Sequence, residues 1–270
     1  MQPKSYTHRA FNEVPDSENR IHGDDVAAQF GFEGALVPGV IVSAYLAHPA
    51  VVAWGLDYVA RGAARVVVEK PVYDDHVFTV SVEADGENAY DAVLADAAGA
   101  TRARARCWLP ATLPEPPRRR GDPLLTREYE RPSGTPETMR RLRDSGLLAL
   151  PVRWDEHSEL TRYFRDVTQM PAPLSAGGGH YAHLGFVLGL TNWALGGNVR
   201  ISPWLHLQTE SQCFHAIAFG TDLIVESAIV DLFEKKGHHF CDLDVAAFRR
   251  EDDVAVMRAR LRAIYQLRGA

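Results

Sequence analysis

Lysine is scarce in this chain: Lys4, Lys70, Lys235 and Lys236 are the only four among 29 cationic residues. The arginine bias is what GC-rich coding produces, and no function is read from it. Cysteine is scarcer still. Cys107, Cys213 and Cys241 form no CxxC and no Cys/His pair at zinc-finger spacing, which excludes a disulfide scaffold and a structural zinc site. So few thiols fit a reducing compartment, and a cytoplasmic location is expected. Positive charge is not in excess. Lys+Arg 29 against Asp+Glu 35 leaves a formal net charge of −6, so there is no electrostatic case for nucleic acid as a partner. Long apolar runs are missing too. The greasiest stretch, 35–56, is broken by Pro38, Gly39, His48 and Pro49, so no membrane span is expected. The first fourteen residues have no apolar h-region, so no signal peptide is expected.

What is present is enough apolar residue to build a core: 46% of 270 residues. That length allows one large domain or two small ones. The stretch PATLPEPPRRRGDP, 110–123, holds five prolines and three consecutive arginines and reads as an extended linker. It separates residues 1–110 from residues 124–270. Both parts repeat one order of elements. The first has a short strand (6–14), a polar motif, an apolar helix (39–54), and strands at 65–72, 77–84, 89–94 and 102–109. The second has a strand at 124–130, an inserted segment at 135–178 without counterpart, an apolar helix at 180–196, and strands at 204–214, 222–233, 239–248 and 254–267. The strands are read from alternation and β-branched content. No charged residue occurs from Gly34 to Leu56 or from Val167 to Val199. A helix apolar on every side is a buried helix. The expected class is α+β: two antiparallel sheets, each wrapping a central apolar helix, joined into one.

Residues 17–40, SENRIHGDDVAAQFGFEGALVPGV, carry the chemistry. They resemble the MaoC-like, R-specific enoyl-CoA hydratase family in its double-hotdog form. Asn19, Ile21 and His22 match the family motif Asp-x-Asn-Pro-x-His. Asp24 and Ala27–Ala28 follow at the family spacing. Phe32, Val37, Pro38 and Gly39 match the approach to the central helix. Two positions depart: Ser17 stands where the family has its catalytic Asp, and Arg20 where it has Pro. Asp16 and Glu18 flank the vacant carboxylate.

The resemblance implies a hydratase or dehydratase acting on an acyl thioester of coenzyme A or a carrier protein. His22 would transfer the proton, and Asn19, Ser17 and Glu18 would stand beside it. Pro38, Gly39, Phe32 and Val37 would contact the substrate, with the free N–H at Gly39 stabilising negative charge on the thioester oxygen. A general acid–base pair needs two groups with separated pKa values, and here only His22 is supplied with certainty. Two alternatives stay open. One is a hotdog protein that has lost hydratase chemistry, as an acyl binder or an enzyme of another reaction. The other is a thioesterase, disfavoured because neither central helix carries a carboxylate. His22 has a plain reading as well, as a cap or a satisfied buried histidine, and Asn19 as an Asx-turn residue.

Other features are weaker. Gly177–Gly179 lacks the Lys-Ser/Thr of a P-loop and the strand of a dinucleotide fold, and reads as the approach to the second helix. His180 and His183 sit one helical turn apart without a third ligand nearby. No cofactor and no metal are expected. Arg118–Arg120 could meet coenzyme A phosphates or simply be solvated. A homodimer is expected, or a monomer that already mimics one.

Overall fold

The computed structural model of the protein describes residues 1–175 and 180–268, so the glycine run 177–179 lies outside the described residues. The first part of the chain builds β1 (Tyr6–Arg9), a short helix α1 (Asp24–Gln29), the central helix α2 (Gly39–Trp54), α3 (Leu56–Arg61), β2 (Ala63–Val68), β3 (Val77–Ala84), β4 (Ala89–Asp96) and β5 (Thr101–Trp108). The second builds α4 (Pro136–Ser145), β6 (Leu150–Arg153), the central helix α5 (Leu184–Asn198), β7 (Leu205–Cys213), β8 (Asp222–Lys235), β9 (His238–Arg249) and β10 (Ala255–Gln266).

The ten strands form one sheet in the order β1-β3-β4-β5-β2-β7-β10-β9-β8-β6. Every pairing is antiparallel. The seam is β2 on β7, running from Ala63 opposite Gln212 to Val67 opposite Gln208. Outward from it, one side reads β2-β5-β4-β3-β1 and the other β7-β10-β9-β8-β6. The two sides repeat the same pattern, as the duplicated order of elements in the sequence requires.

The uncharged stretches become the two helices that the sheet encloses. In α2, Val40, Ile41, Tyr45, Leu46 and Ala50 are fully buried; in α5, Phe186, Leu188, Leu190, Ala194 and Leu195 are. The helices pack on each other and on strands of their own half. Neither therefore needs a polar face, which is why their sequences show no amphipathic stripe. Pro49 lies inside α2. Proline has no N–H, so the carbonyl four residues earlier, at Tyr45, loses its helical donor. The Tyr6 hydroxyl of β1 donates to that carbonyl at 2.8 Å. A proline in a buried helix is thus tolerated because the edge strand supplies the missing bond.

Three expectations need correction. The segment 124–130 is not a strand: only an isolated bridge from Leu124 to Ala149 is formed, and its run of charged side chains is mostly exposed. The edge strand is β6 instead, inside the segment 135–178 that was expected to have no counterpart. β6 pairs with β8 as β1 pairs with β3, and both have four residues with alternating exposure. The second central helix begins at Leu184 rather than residue 180, because His183 is its N-cap and accepts the Phe186 N–H. The linker 110–123 has no regular structure, but its end is fastened. The buried Glu226 of β8 accepts the N–H groups of Arg120 (2.7 Å), Gly121 (2.8 Å) and Asp122 (3.1 Å). Burial alone would raise the Glu226 pKa, but these donors hold it below the usual carboxylate value.

Replacing Tyr6 by Phe removes one hydroxyl and leaves the buried Tyr45 carbonyl without a donor. The expected cost is about 1–3 kcal/mol, read as a lower urea midpoint at unchanged slope. An unchanged midpoint would show that the Pro49 gap is satisfied in another way.

Candidate active site

The polar motif between β1 and α2 folds as a single 3-10 turn, Arg20–His22. Ile21 is fully buried and packs in a small cluster with Ala27, Leu36 and Tyr73, against which Phe30, Phe32 and Leu205 lie. This cluster fixes the turn, and the turn presents Asn19 and His22 together.

The His22 ring is held at both nitrogens. Nδ1 lies 2.7 Å from the Leu36 carbonyl oxygen. A carbonyl only accepts, so Nδ1 carries the proton and Nε2 holds the lone pair. Nε2 sits 3.3 Å from the Asn19 Nδ2. The same Asn19 amide donates to the Trp204 carbonyl at 3.0 Å and accepts the Trp204 N–H at 3.1 Å. Asn19 therefore ties the motif of the first half to the start of β7 in the second. Burial lowers the His22 pKa below the ordinary imidazole value, and the bond to Leu36 offsets this only in part.

The two carboxylate-position candidates go elsewhere. The Ser17 hydroxyl turns back and donates to the Asn19 carbonyl at 3.2 Å. Glu18 is 80% exposed and forms a two-pronged pair with Arg131, at 2.6 and 3.0 Å. The Arg131 guanidinium holds its carboxyl below the usual range. Glu18 is thus an anchored anion at the rim.

Two cavities meet at His22. The larger, about 720 Å³, is lined by Ser17, Glu18, Asn19, His22 and Pro38 from the first half, and by Arg131, Glu159, Asn192 and Arg200 from the second. The smaller, about 230 Å³, is lined by Phe32, Val37, Gly39, Val68, His206 and Leu207. Asn19, His22, Asn192 and Trp204 line both. At the start of α2 the Pro38 carbonyl takes the N–H groups of Ile41 and Val42. The N–H groups of Gly39 and Val40 precede the first intrahelical donor and face the helix end. A Cβ at Gly39 would lie 3.0 Å from the His206 Cβ and 3.1 Å from its carbonyl oxygen, so only glycine lets α2 start this close to β7.

The sequence-predicted residues His22, Asn19, Pro38, Gly39, Phe32 and Val37 are therefore gathered around one space. Ser17 and Glu18 reach its wall without offering a free carboxylate to His22. Sequence reasoning missed Glu159, Asn192, Trp204 and His206, all from the second half. One signal was available. Thr191 and Asn192 interrupt an otherwise apolar helix, and His206 falls among apolar residues at the head of a strand.

No protein-family model matches this chain, and no curated protein matches it. Solved structures do match across nearly the whole length. A conserved hypothetical protein of Mycobacterium tuberculosis with a double hotdog fold aligns at 14% identity and TM-score 0.58, over 97% of this chain and 96% of that one. A protein designated a MaoC domain dehydratase, from Chloroflexus aurantiacus, aligns at 11% identity and TM-score 0.56, over 100% and 96%. A protein designated a thioesterase, from Novosphingobium aromaticivorans, aligns at 12% identity and TM-score 0.54, over 99% and 97%. The fold is the double hotdog, of class α+β. No helix among the described residues is long and apolar enough to cross a membrane.

Burial also depresses three further histidines: His206 to about 3, His183 to about 3 and His48 to about 4. Each is neutral when folded, so the unfolded chain binds more protons once the pH is below about 6.5. Their stabilisation is complete above that pH and declines as it falls. At pH 5 the loss is about 2 kcal/mol for each histidine. Thermal melts should show a drop between pH 6.5 and 5, and His206→Gln should remove about a third of it. A melting temperature flat down to pH 5 would contradict neutral burial.

Proposed function

We propose that the protein is an acyl-thioester enzyme of the hydratase/dehydratase type, with His22 as its proton-transfer residue. The observation that carries this is the His22 ring itself. His22 lines both cavities, its Nδ1–H is committed to Leu36, and its basic Nε2 faces only the long 3.3 Å contact from the Asn19 amide. The designations of the double-hotdog neighbours, dehydratase and thioesterase, support acyl thioesters as the substrate class. Neither α2 nor α5 carries a carboxylate, which favours hydration over thioester hydrolysis.

In this reading the acyl chain and thioester occupy the joined cavities beside the start of α2. A bound water displaces the long Asn19 contact at His22 Nε2, and Nε2 takes a proton from that water as the water oxygen bonds to the β-carbon of an enoyl thioester. The π pair of the double bond moves to the α-carbon and the carbonyl oxygen, where the Gly39 N–H stabilises it. The imidazolium then gives its proton to the α-carbon, completing addition of one water. A lowered His22 pKa favours that second transfer. Asn19 holds the ring in place. Glu159 lines the same cavity, and its carboxylate accepts the second O–H of the water, supplying the negative charge that Ser17 lacks. Arg131 and Arg200 at the rim face the anionic carrier group.

The second reading is a hotdog site that has left hydration behind. It is favoured by one observation, the Ser17 hydroxyl bound to Asn19 in place of a carboxylate.

The test is turnover of crotonyl-CoA, followed both as loss of the conjugated enoyl absorbance and as release of free thiol. Wild type should hydrate the double bond without releasing thiol. His22→Ala should lose about 10²–10⁴-fold in kcat, and Glu159→Gln should fall in kcat with little change in KM. The neutral imidazole is the base, so kcat/KM should hold level from pH 8 to below 6.5 and decline only at more acid pH. Full activity in His22→Ala sinks the assignment. An inactive wild type that gains hydration on Ser17→Asp selects the second reading.

A further inference from the structure

The most ordered polar feature near the cavities lies in the second half. Thr209 of β7 is buried, 1% exposed, and its hydroxyl meets His206 Nε2. His206 Nδ1 lies 3.1 Å from Asn192 Oδ1. Asn192 belongs to α5, and it lines both cavities together with His22. The chain Thr209–His206–Asn192 thus leads from the core to the junction of the two cavities.

Its polarity follows from satisfying each proton. The buried Thr209 hydroxyl has His206 as its one hydrogen-bond partner among the described residues. A buried hydroxyl whose proton finds no acceptor costs about 1–3 kcal/mol, whereas an unused lone pair costs little. The Thr209 O–H therefore donates to Nε2. A neutral imidazole has one donor and one acceptor, so Nδ1 carries the proton and donates to Asn192 Oδ1. With its oxygen engaged, the amide of Asn192 has only its NH2 end left to offer the cavity. The same His206 packs against Gly39, within 3.0 Å of where a Cβ would stand. Asn192 and Gly39 thus both border the one imidazole, and both line the smaller cavity.

We infer that Asn192 is a catalytic residue, whose NH2 joins the Gly39 N–H as the second donor to the acyl carbonyl oxygen. His206 and Thr209 are positioning residues that fix which end of the amide faces the substrate. This rests on the thioester reading and extends it. One donor is on the helix of the first half and the other on the helix of the second, so the oxyanion site would exist only in the joined double hotdog. Two preorganised donors stabilise a developing enolate without reorganisation, and loss of one such donor typically costs about 10²–10³-fold in kcat.

Two measurements test it. Nitrogen-15 NMR of the wild-type protein should show His206 protonated at Nδ1 and bare at Nε2; the opposite tautomer overturns the inference, because it would turn the amide around. Isotope-edited infrared spectra of crotonyl-CoA carrying a 13C=O label should show a carbonyl band shifted to lower frequency on binding. In Asn192→Ala the shift should shrink and kcat should fall about 10²-fold, while His206→Phe should reproduce part of both effects. A merely structural role for Asn192 would lower the melting temperature without moving the carbonyl band of the protein that remains folded. An equal band in wild type and Asn192→Ala overturns this inference and leaves the hydratase reading standing. Failure of the wild type to bind crotonyl-CoA at all overturns both.

Discussion

Everything at the site depends on one side-chain amide that bridges the duplication. Asn19 gives and takes a hydrogen bond with the backbone of Trp204, 185 residues away, and its remaining N–H faces His22 Nε2. All of its strong hydrogen-bonding capacity is therefore in use. If the halves slid along the seam of β2 and β7, the amide would lose its backbone partner and His22 its support together. Satisfied buried polar networks specify one arrangement because each partly broken alternative leaves groups unpaired. A general fold, which tolerates many sequences, is converted here into one fixed relation between a turn of the first half and a strand of the second.

The duplication is symmetric in its sheet and asymmetric in its loops. Between β1 and α2 the chain makes a polar turn beside two cavities. Between β6 and α5 the equivalent stretch of chain fills its space. Tyr163 and Phe164 are buried there; Phe164 stacks near Tyr45, and the Tyr163 hydroxyl meets His48 of α2 at 3.0 Å. Aromatic side chains of this size bury large apolar area. They occupy volume that a substrate would need. The second half thus contributes α5, β7 and the rim to one site and contributes core where a second site would have opened.

How far the sequence went follows the same division. The central helix α2 was legible to the residue, because a run without charge bounded by Pro-Gly and a Gly has one physical solution. The long strands were legible from alternation. β6 was not, since four residues containing a proline carry little periodic signal, and its place is set by the exposed edge of β8. The start of α5 was shifted because a histidine served as N-cap where serine, threonine or aspartate is the usual signal. At the site, His22 and Asn19 were legible because they lie three residues apart in one motif. Glu18 was misplaced as a neighbour of His22 because its partner, Arg131, is 113 residues distant. Asn192 and His206 were hidden for the same reason: their meaning comes from the contact of His206 with Gly39 and with Asn192, which only the folded chain creates.

Ser17 can be understood through charge. A carboxylate beside His22 would stabilise the imidazolium and raise its pKa. The serine hydroxyl instead closes the turn onto Asn19 and adds no charge, so burial dominates and the ring stays neutral. The cavities that His22 lines are also bordered by the start of α2 and by Asn192. Of the carboxylates on the larger cavity, Glu18 is neutralised by Arg131, and Glu159 comes from the second half. Such surroundings resist positive charge on the histidine and accept negative charge on a carbonyl oxygen. On the proposed hydratase reading, a proton accepted by His22 would leave it readily, and an anion formed beside α2 would meet the donors inferred at Gly39 and Asn192. That balance suits a reaction through an enolate-like state, in which proton acceptance and proton return occur within one turnover.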